Sequence, residues 1–114
     1  WAEYVRVAKE APVSLRMEMM NAFNYSYIKD KNLSLRIACL ASFLEDRTVR
    51  QGRARKLWAA SIFEKIEVRN FVAMKIASIL DFDERPDEFW EEGRWAKLRA
   101  KVQEELKKSK YPQF

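Results

Sequence analysis

From residue 47 to residue 56 the chain reads Arg-Thr-Val-Arg-Gln-Gly-Arg-Ala-Arg-Lys, with five bases and no acid. On a helix, Arg47, Arg50 and Arg53 follow one another at i, i+3 and i+6, so the spacing predicts a basic ridge that Arg55 and Lys56 complete. A ridge of this kind suits a phosphate backbone, because each neutralised phosphate releases condensed counterions. No base-reading motif accompanies it, so nucleic-acid binding through these five residues would be insensitive to sequence. The alternative is a solvated basic loop that meets the acidic stretch 81–92 or a neighbouring domain.

Other groups capable of chemistry are few. Asp81-Phe82-Asp83-Glu84-Arg85-Pro86 starts like a calcium loop, but Arg85 and Pro86 stand where a ligand and the obligatory Gly belong. Glu88, Glu91 and Glu92 lie at a helix start, where solvated acids are the ordinary reading and a general acid/base pair the rarer one. Histidine is absent, which removes imidazole metal sites and Ser-His or Cys-His nucleophilic pairs. The single cysteine, Cys39, sits among Ile37, Ala38 and Leu40 and reads as a small core residue. The expectation is therefore a protein without catalytic residues, metal or cofactor. Met19, Tyr25 and Tyr27 form a candidate partner-binding patch, since Met and Tyr are common in adaptable recognition surfaces.

These residues must be positioned by helices. The chain has 114 residues, 48% of them hydrophobic, but only two Gly and three Pro. That is enough apolar material for one core and too few turn residues for a typical all-β domain. Six helices are expected. The first covers residues 1–10, with Trp1, Tyr4, Val5 and Ala8 at helical spacing. Pro12 ends it or opens the second, which runs to about Tyr25 with Val13, Met17, Met20 and Phe23 on one stripe. Asn32 is a candidate N-cap for the third, whose stripe is Leu33, Ile37, Leu40 and Leu44. Thr48 would cap a fourth, weakened early by Gly52 and firm over about residues 54–63. The fifth carries Val68, Val72, Ile76, Ile79 and Leu80, flanked by Phe71 and Ala73. After Pro86, with Asp87 as a candidate cap, the sixth starts near Glu91 and carries Trp95, Leu98, Val102 and Leu106. Phe89, Trp90 and Trp95 around its start suggest a hydrophobic staple or interhelical plug.

Charge is segmental. Residues 1–46 balance, 47–80 carry a net +6, 81–92 a net −6 and 93–114 a net +5. The acids precede the last helix and the lysines crowd its end, as a helix dipole favours. No apolar run approaches the ~20 residues that span a bilayer, and no signal-peptide pattern opens the chain. The expectation is a cytoplasmic protein with no membrane contact. Its first residue is Trp1, which suggests a piece of a longer chain.

Asn32-Leu-Ser-Leu-Arg-Ile-Ala-Cys-Leu-Ala-Ser-Phe-Leu44 and Glu67-Val-Arg-Asn-Phe-Val-Ala-Met-Lys-Ile-Ala-Ser-Ile-Leu80 repeat one phrase, with Arg36 and Arg69 set 33 residues apart. A helix fits between them, and two helices per ~30–47 residues is the period of an α-solenoid. On these residues the chain resembles HEAT-type helical repeats, in which the second helix of a unit often opens as Val-Arg followed by small and aliphatic residues. Val68-Arg69 matches that opening, and Leu35-Arg36 matches it with Leu for Val. The tail from Arg85 to Leu106 resembles the closing segment of HEAT-like regions in bacterial proteins of unassigned function. The resemblance implies an all-α domain of stacked antiparallel hairpins, the second helix pairing with the third and the fourth with the fifth. It also implies that each arginine pairs with an acid of the preceding turn, Asp30 in one unit and Glu67 or Glu64 in the next. An ordinary bundle of five or six helices remains the alternative. The function expected from the resemblance is protein interaction or scaffolding, with a partner protein or neighbouring domain buried along the second helices of the hairpins. Sequence-independent nucleic-acid binding by the ridge is the competing expectation.

Overall fold

The expected apolar stripes become the buried faces of five helices in the computed structural model, which describes residues 1–22, 32–51, 63–109 and 111–112. In chain order these are α1 (Ala2–Glu10), α2 (Val13–Asn21), α3 (Leu33–Ala41), α4 (Val68–Ile79) and α5 (Glu92–Lys108). A two-stranded antiparallel ribbon, β1 (Val49–Gln51) with β2 (Lys65–Glu67), sits between α3 and α4 in the sequence. The fold is mostly helical with this one small sheet among the described residues. No helix among them is long and apolar enough to cross a membrane.

α4 is the hub, packing against α2, α3, α5 and β2. Its sequence allows this because apolar or small residues surround most of its circumference, and Val68, Phe71, Val72, Ala73, Ile76 and Ala77 are all buried. Val5, Ala8, Met17, Met20, Ile37, Leu40, Trp95, Leu98 and Val102 close the same core. Of the expected hairpins, the pairing of the second helix with the third is not evident among the described residues, and most of the fourth helix lies outside them. Among the described residues, α2 packs chiefly on α1, α4 and β1, and α3 packs on α4. Most of α4 is buried in this core, whereas α3 keeps Ala38, Ala41 and its C-cap Ser42 on a groove of about 300 Å³ shared with Gln103 and Leu106 of α5.

Local chemistry explains the boundaries. Ala11 is extended (φ −75°, ψ 153°), as the residue before Pro12 must be, so Pro12 both ends α1 and leads into α2. Asn32 occupies the cap position of α3, but its side chain makes no capping hydrogen bond. α3 ends three residues before Leu44; Phe43 N donates to Leu40 O (3.0 Å) and Leu44 N to Ala41 O (3.1 Å), a tighter turn that still buries Leu44. The first amides of α4 are satisfied by the loop before β1, with Val68 N donating to Thr48 O (2.9 Å) and Arg69 N to Asp46 O (2.7 Å). α4 closes in a Schellman motif: Asp81 is left-handed (φ 61°), its N donates to Ser78 O (3.2 Å), and Phe82 N donates to Ala77 O (2.9 Å). Asp87 caps a turn rather than a helix, its Oδ1 accepting from Phe89 N (2.8 Å). The helix start falls at Glu92, where Trp90 and Trp95 meet edge to face at 5.2 Å and form the staple.

The clearest departure from the sequence expectation lies at residues 48–51. Thr48 caps no helix there; β1 follows it. Val49 and Gln51 are exposed while Arg50 is buried, and Lys65 is exposed while Ile66 is buried, a period of two on both strands. Arg50 and Ile66 are register partners and both point inward. Residues 52–62, which hold Gly52 and most of the expected fourth helix, lie outside the described residues. Phe63, its expected end, lies in no helix.

Candidate partner-binding cleft

The predicted basic ridge does not form where it can be seen. Arg47 is exposed and lies 3.7 Å from Glu67. Arg50 is 1% exposed, and its Nη1 donates to the Phe63 carbonyl at 3.2 Å. The two cannot share a face, because a strand turns Arg50 inward where a helix would have kept it near Arg47. Arg53, Arg55 and Lys56 lie outside the described residues, as do Tyr25, Tyr27 and Asp30. Met19 is half-buried against the core, and its carbonyl accepts a hydrogen bond from Tyr4 Oη at 2.8 Å. Cys39 is buried, and the loss of solvent pushes its thiol up to about 11, which leaves it unreactive at neutral pH.

What the sequence did not indicate is a cavity of about 470 Å³ between the ribbon and the start of α5. Its volume falls in the range of ligand-binding clefts. Phe63, Ile66 and Trp95, each at least nine-tenths buried, give it an apolar floor. Glu67, Asp87, Glu88 and Glu92 carry carboxylates into its lining, with Lys65 as the one base among the described residues. Phe89, between two lining residues, is 81% exposed. These carboxylates do not converge as metal ligands, since no group of three or more His, Cys, Asp or Glu among the described residues could hold a metal ion.

A chain of charged groups fixes one wall. Arg69 Nε donates to Glu67 Oε2 at 2.7 Å and Arg69 Nη2 to Glu92 Oε1 at 3.2 Å. Arg99 reaches the same Glu92 Oε1 through Nη2 and donates through Nη1 to Asn70 Oδ1. Arg69 and Arg99 are largely buried, which makes these bonds stronger than surface pairs. The hydrogen bond from Arg99, with the charge of Arg99 and Arg69 behind it, holds the Glu92 carboxyl below its usual range against the opposing effect of burial. The Glu67–Arg69 contact is the acid–arginine pairing expected on the repeat resemblance. Further along the acidic stretch, Lys101 Nζ binds both oxygens of Glu84 at 2.9 and 3.0 Å and lies over the Phe82 ring. Two of the seven acids of the −6 segment, Glu84 and Glu92, are therefore paired with bases among the described residues.

The signal for the cleft was present but dispersed. Trp90 and Trp95 marked a helix start, Lys65-Ile66-Glu67 alternates polar and apolar, and only folding brings them to one wall. Comparison with known proteins gives no match: no family model, no curated protein and no solved structure matches the chain.

Proposed function

We propose that this chain is a non-catalytic protein-interaction module that holds a partner segment in the cleft between the ribbon and the start of α5. The observation that carries the reading is the cleft itself, an apolar floor under a polar rim with the exposed Phe89 beside it. A buried apolar centre within a polar surround is the ordinary anatomy of a recognition site. The proposal places the contact at the opening beside β2, since α4 gives most of its surface to the core. It also keeps a helical-repeat origin for the fold, supported by the packing of α3 on α4 and the pairing of Arg69 with Glu67. For nucleic acid, the described residues offer only the exposed Arg47 of the ridge, so that reading has less support.

Panning a random peptide library displayed on phage against the immobilised chain tests the reading. Enriched peptides are expected to lose binding when Phe89→Asp is introduced at the rim. Absence of enrichment above an unrelated helical protein would overturn it.

A further inference from the structure

The cleft has free hydrogen-bonding capacity of one dominant kind. Both contacts to Glu67 fall on Oε2, and both to Glu92 fall on Oε1. Asp87 uses Oδ1 for the Phe89 amide, and no hydrogen bond or ion pair engages Glu88 among the described residues. Glu67 Oε1, Glu92 Oε2, Asp87 Oδ2 and both oxygens of Glu88 are therefore left as acceptors at the lining. Beside the Lys65 ammonium, one side-chain amide opposes them. Asn70 is 5% exposed and lines the cleft, and its Oδ1 is committed to Arg99. Because an arginine can only donate, that bond fixes which end of the amide is oxygen, and the Asn70 NH₂ group is left without a partner among the described residues. That amide is therefore available to donate to a group held in the cleft.

We propose that the cleft receives a basic side chain, Lys or Arg, of a partner polypeptide, with a partner carbonyl accepting from the Asn70 amide. The inference rests on the protein-interaction reading and names the chemistry that site selects. Carboxylate acceptors match an ammonium or guanidinium group, and the guanidinium fork can take two carboxylate oxygens at once. The apolar floor of Phe63, Ile66 and Trp95 accommodates the aliphatic stem and lowers the local dielectric under the charge. A carbonyl accepting from the Asn70 amide is what would distinguish a polypeptide from a free amine. Arg47, Arg69 and Arg99 cancel much of the rim's charge at a distance. Selection is therefore short-range, through oriented acceptors, and it should depend only modestly on salt.

The test is a titration of isotopically labelled protein with capped tripeptides Gly-X-Gly, following the indole N–H signals of Trp90 and Trp95 and the Asn70 side-chain amide. With X as Arg or Lys, those signals are expected to shift saturably at millimolar peptide, and with X as Glu they are expected to stay. Glu88→Gln, at a residue with no hydrogen bond or ion pair among the described residues, should weaken the Arg peptide about 3- to 10-fold, as loss of one charge-assisted bond implies, without moving the melting temperature. If norleucine at X shifts the same signals as strongly as Arg, the cleft recognises an apolar segment: the basic-side-chain proposal falls and the protein-interaction reading stands. If methylguanidinium alone binds as tightly as the Arg peptide, the polypeptide component falls. If no peptide perturbs the signals up to about 10 mM, the proposal falls outright, while the phage selection independently decides the broader reading.

Discussion

Arg16 and Asp46 meet at 2.8 Å, Nη1 to Oδ2, thirty residues apart in the sequence, and both side chains are largely buried. The same guanidinium donates to the carbonyls of Ala8 (3.0 Å), Lys9 (3.2 Å) and Ala11 (2.8 Å), so it ties the end of α1 to the loop that receives α4. Asp46 in turn accepts from Thr48 N through Oδ1 at 3.0 Å, and its own carbonyl accepts from Arg69 N. Arg16→Met is expected to destabilise the fold by about 2–4 kcal/mol, because it leaves buried acceptors and a carboxylate without a donor. Burial alone would raise the Asp46 carboxyl, but the Thr48 hydrogen bonds and Arg16 outweigh it and hold the group below its ordinary 3.8. Its contribution is thus fully present above that value and is lost as pH falls through the lower folded value. Urea midpoints measured from pH 2 to 6 should show a shallower acid loss in Arg16→Met than in the wild type.

Asp81 closes α4 in the left-handed conformation that a Cβ disfavours. Asp81→Gly is expected to stabilise the protein by about 0.5–1 kcal/mol, and Asp81→Val to destabilise it by about as much or more. Thermal melts of the two variants check this, and equal melting temperatures would show that the cap carries no strain.

Arg47 and Arg50 offer a comparison between neighbours of one charge. Arg50→Ala should cost about 2–4 kcal/mol, since it empties a fully buried site behind β1 and removes the bond to the Phe63 carbonyl. Arg47→Ala should change stability by no more than about 0.5 kcal/mol, as its single pairing is long and solvent-exposed. Denaturant unfolding of both variants separates the strand geometry from a helical ridge, on which both losses would be small.

Lys75 is a charged residue in the middle of the hub helix, 6% exposed, with its Nζ 5.4 Å from the centre of the Phe71 ring. Desolvation brings its pKa down from 10.5 to about 8. The unfolded chain holds that proton more tightly, so stability should rise as pH climbs from about 8 to 10.5 and be lowest below 8. Lys75→Met is expected to raise stability at pH 7 by about 1–3 kcal/mol and to abolish that alkaline gain. Melting curves at pH 7, 8.5 and 10 measure both effects.

The helices were legible where apolar residues kept the 3.6-residue period over several turns. Val68 to Ile79 emerges as a helix over nearly the expected span, as does Glu92 to Lys108. Their tips were harder to place. Asn32 had the right residue type for a cap and makes no capping bond, whereas the true termination of α4 depends on Asp81, a residue type that seldom adopts that conformation. The strand at residues 49–51 was missed because three residues are too few to display a period, and a run of arginines reads equally well as a surface helix.

By itself the sequence determined that this chain is mainly helical, which residues of its longest helices face inward, and that histidine chemistry is excluded. Those properties are local, set by residue type and spacing. Tertiary structure alone decided that Arg50 lies inside, that α4 is the hub of the packing, and that Asn70, Glu67 and Glu92 share a wall. Burial of a charge and the meeting of carboxylates from β2 and α5 depend on which surfaces pack. Packing is a competition among all the apolar faces at once, and no single segment carries its outcome.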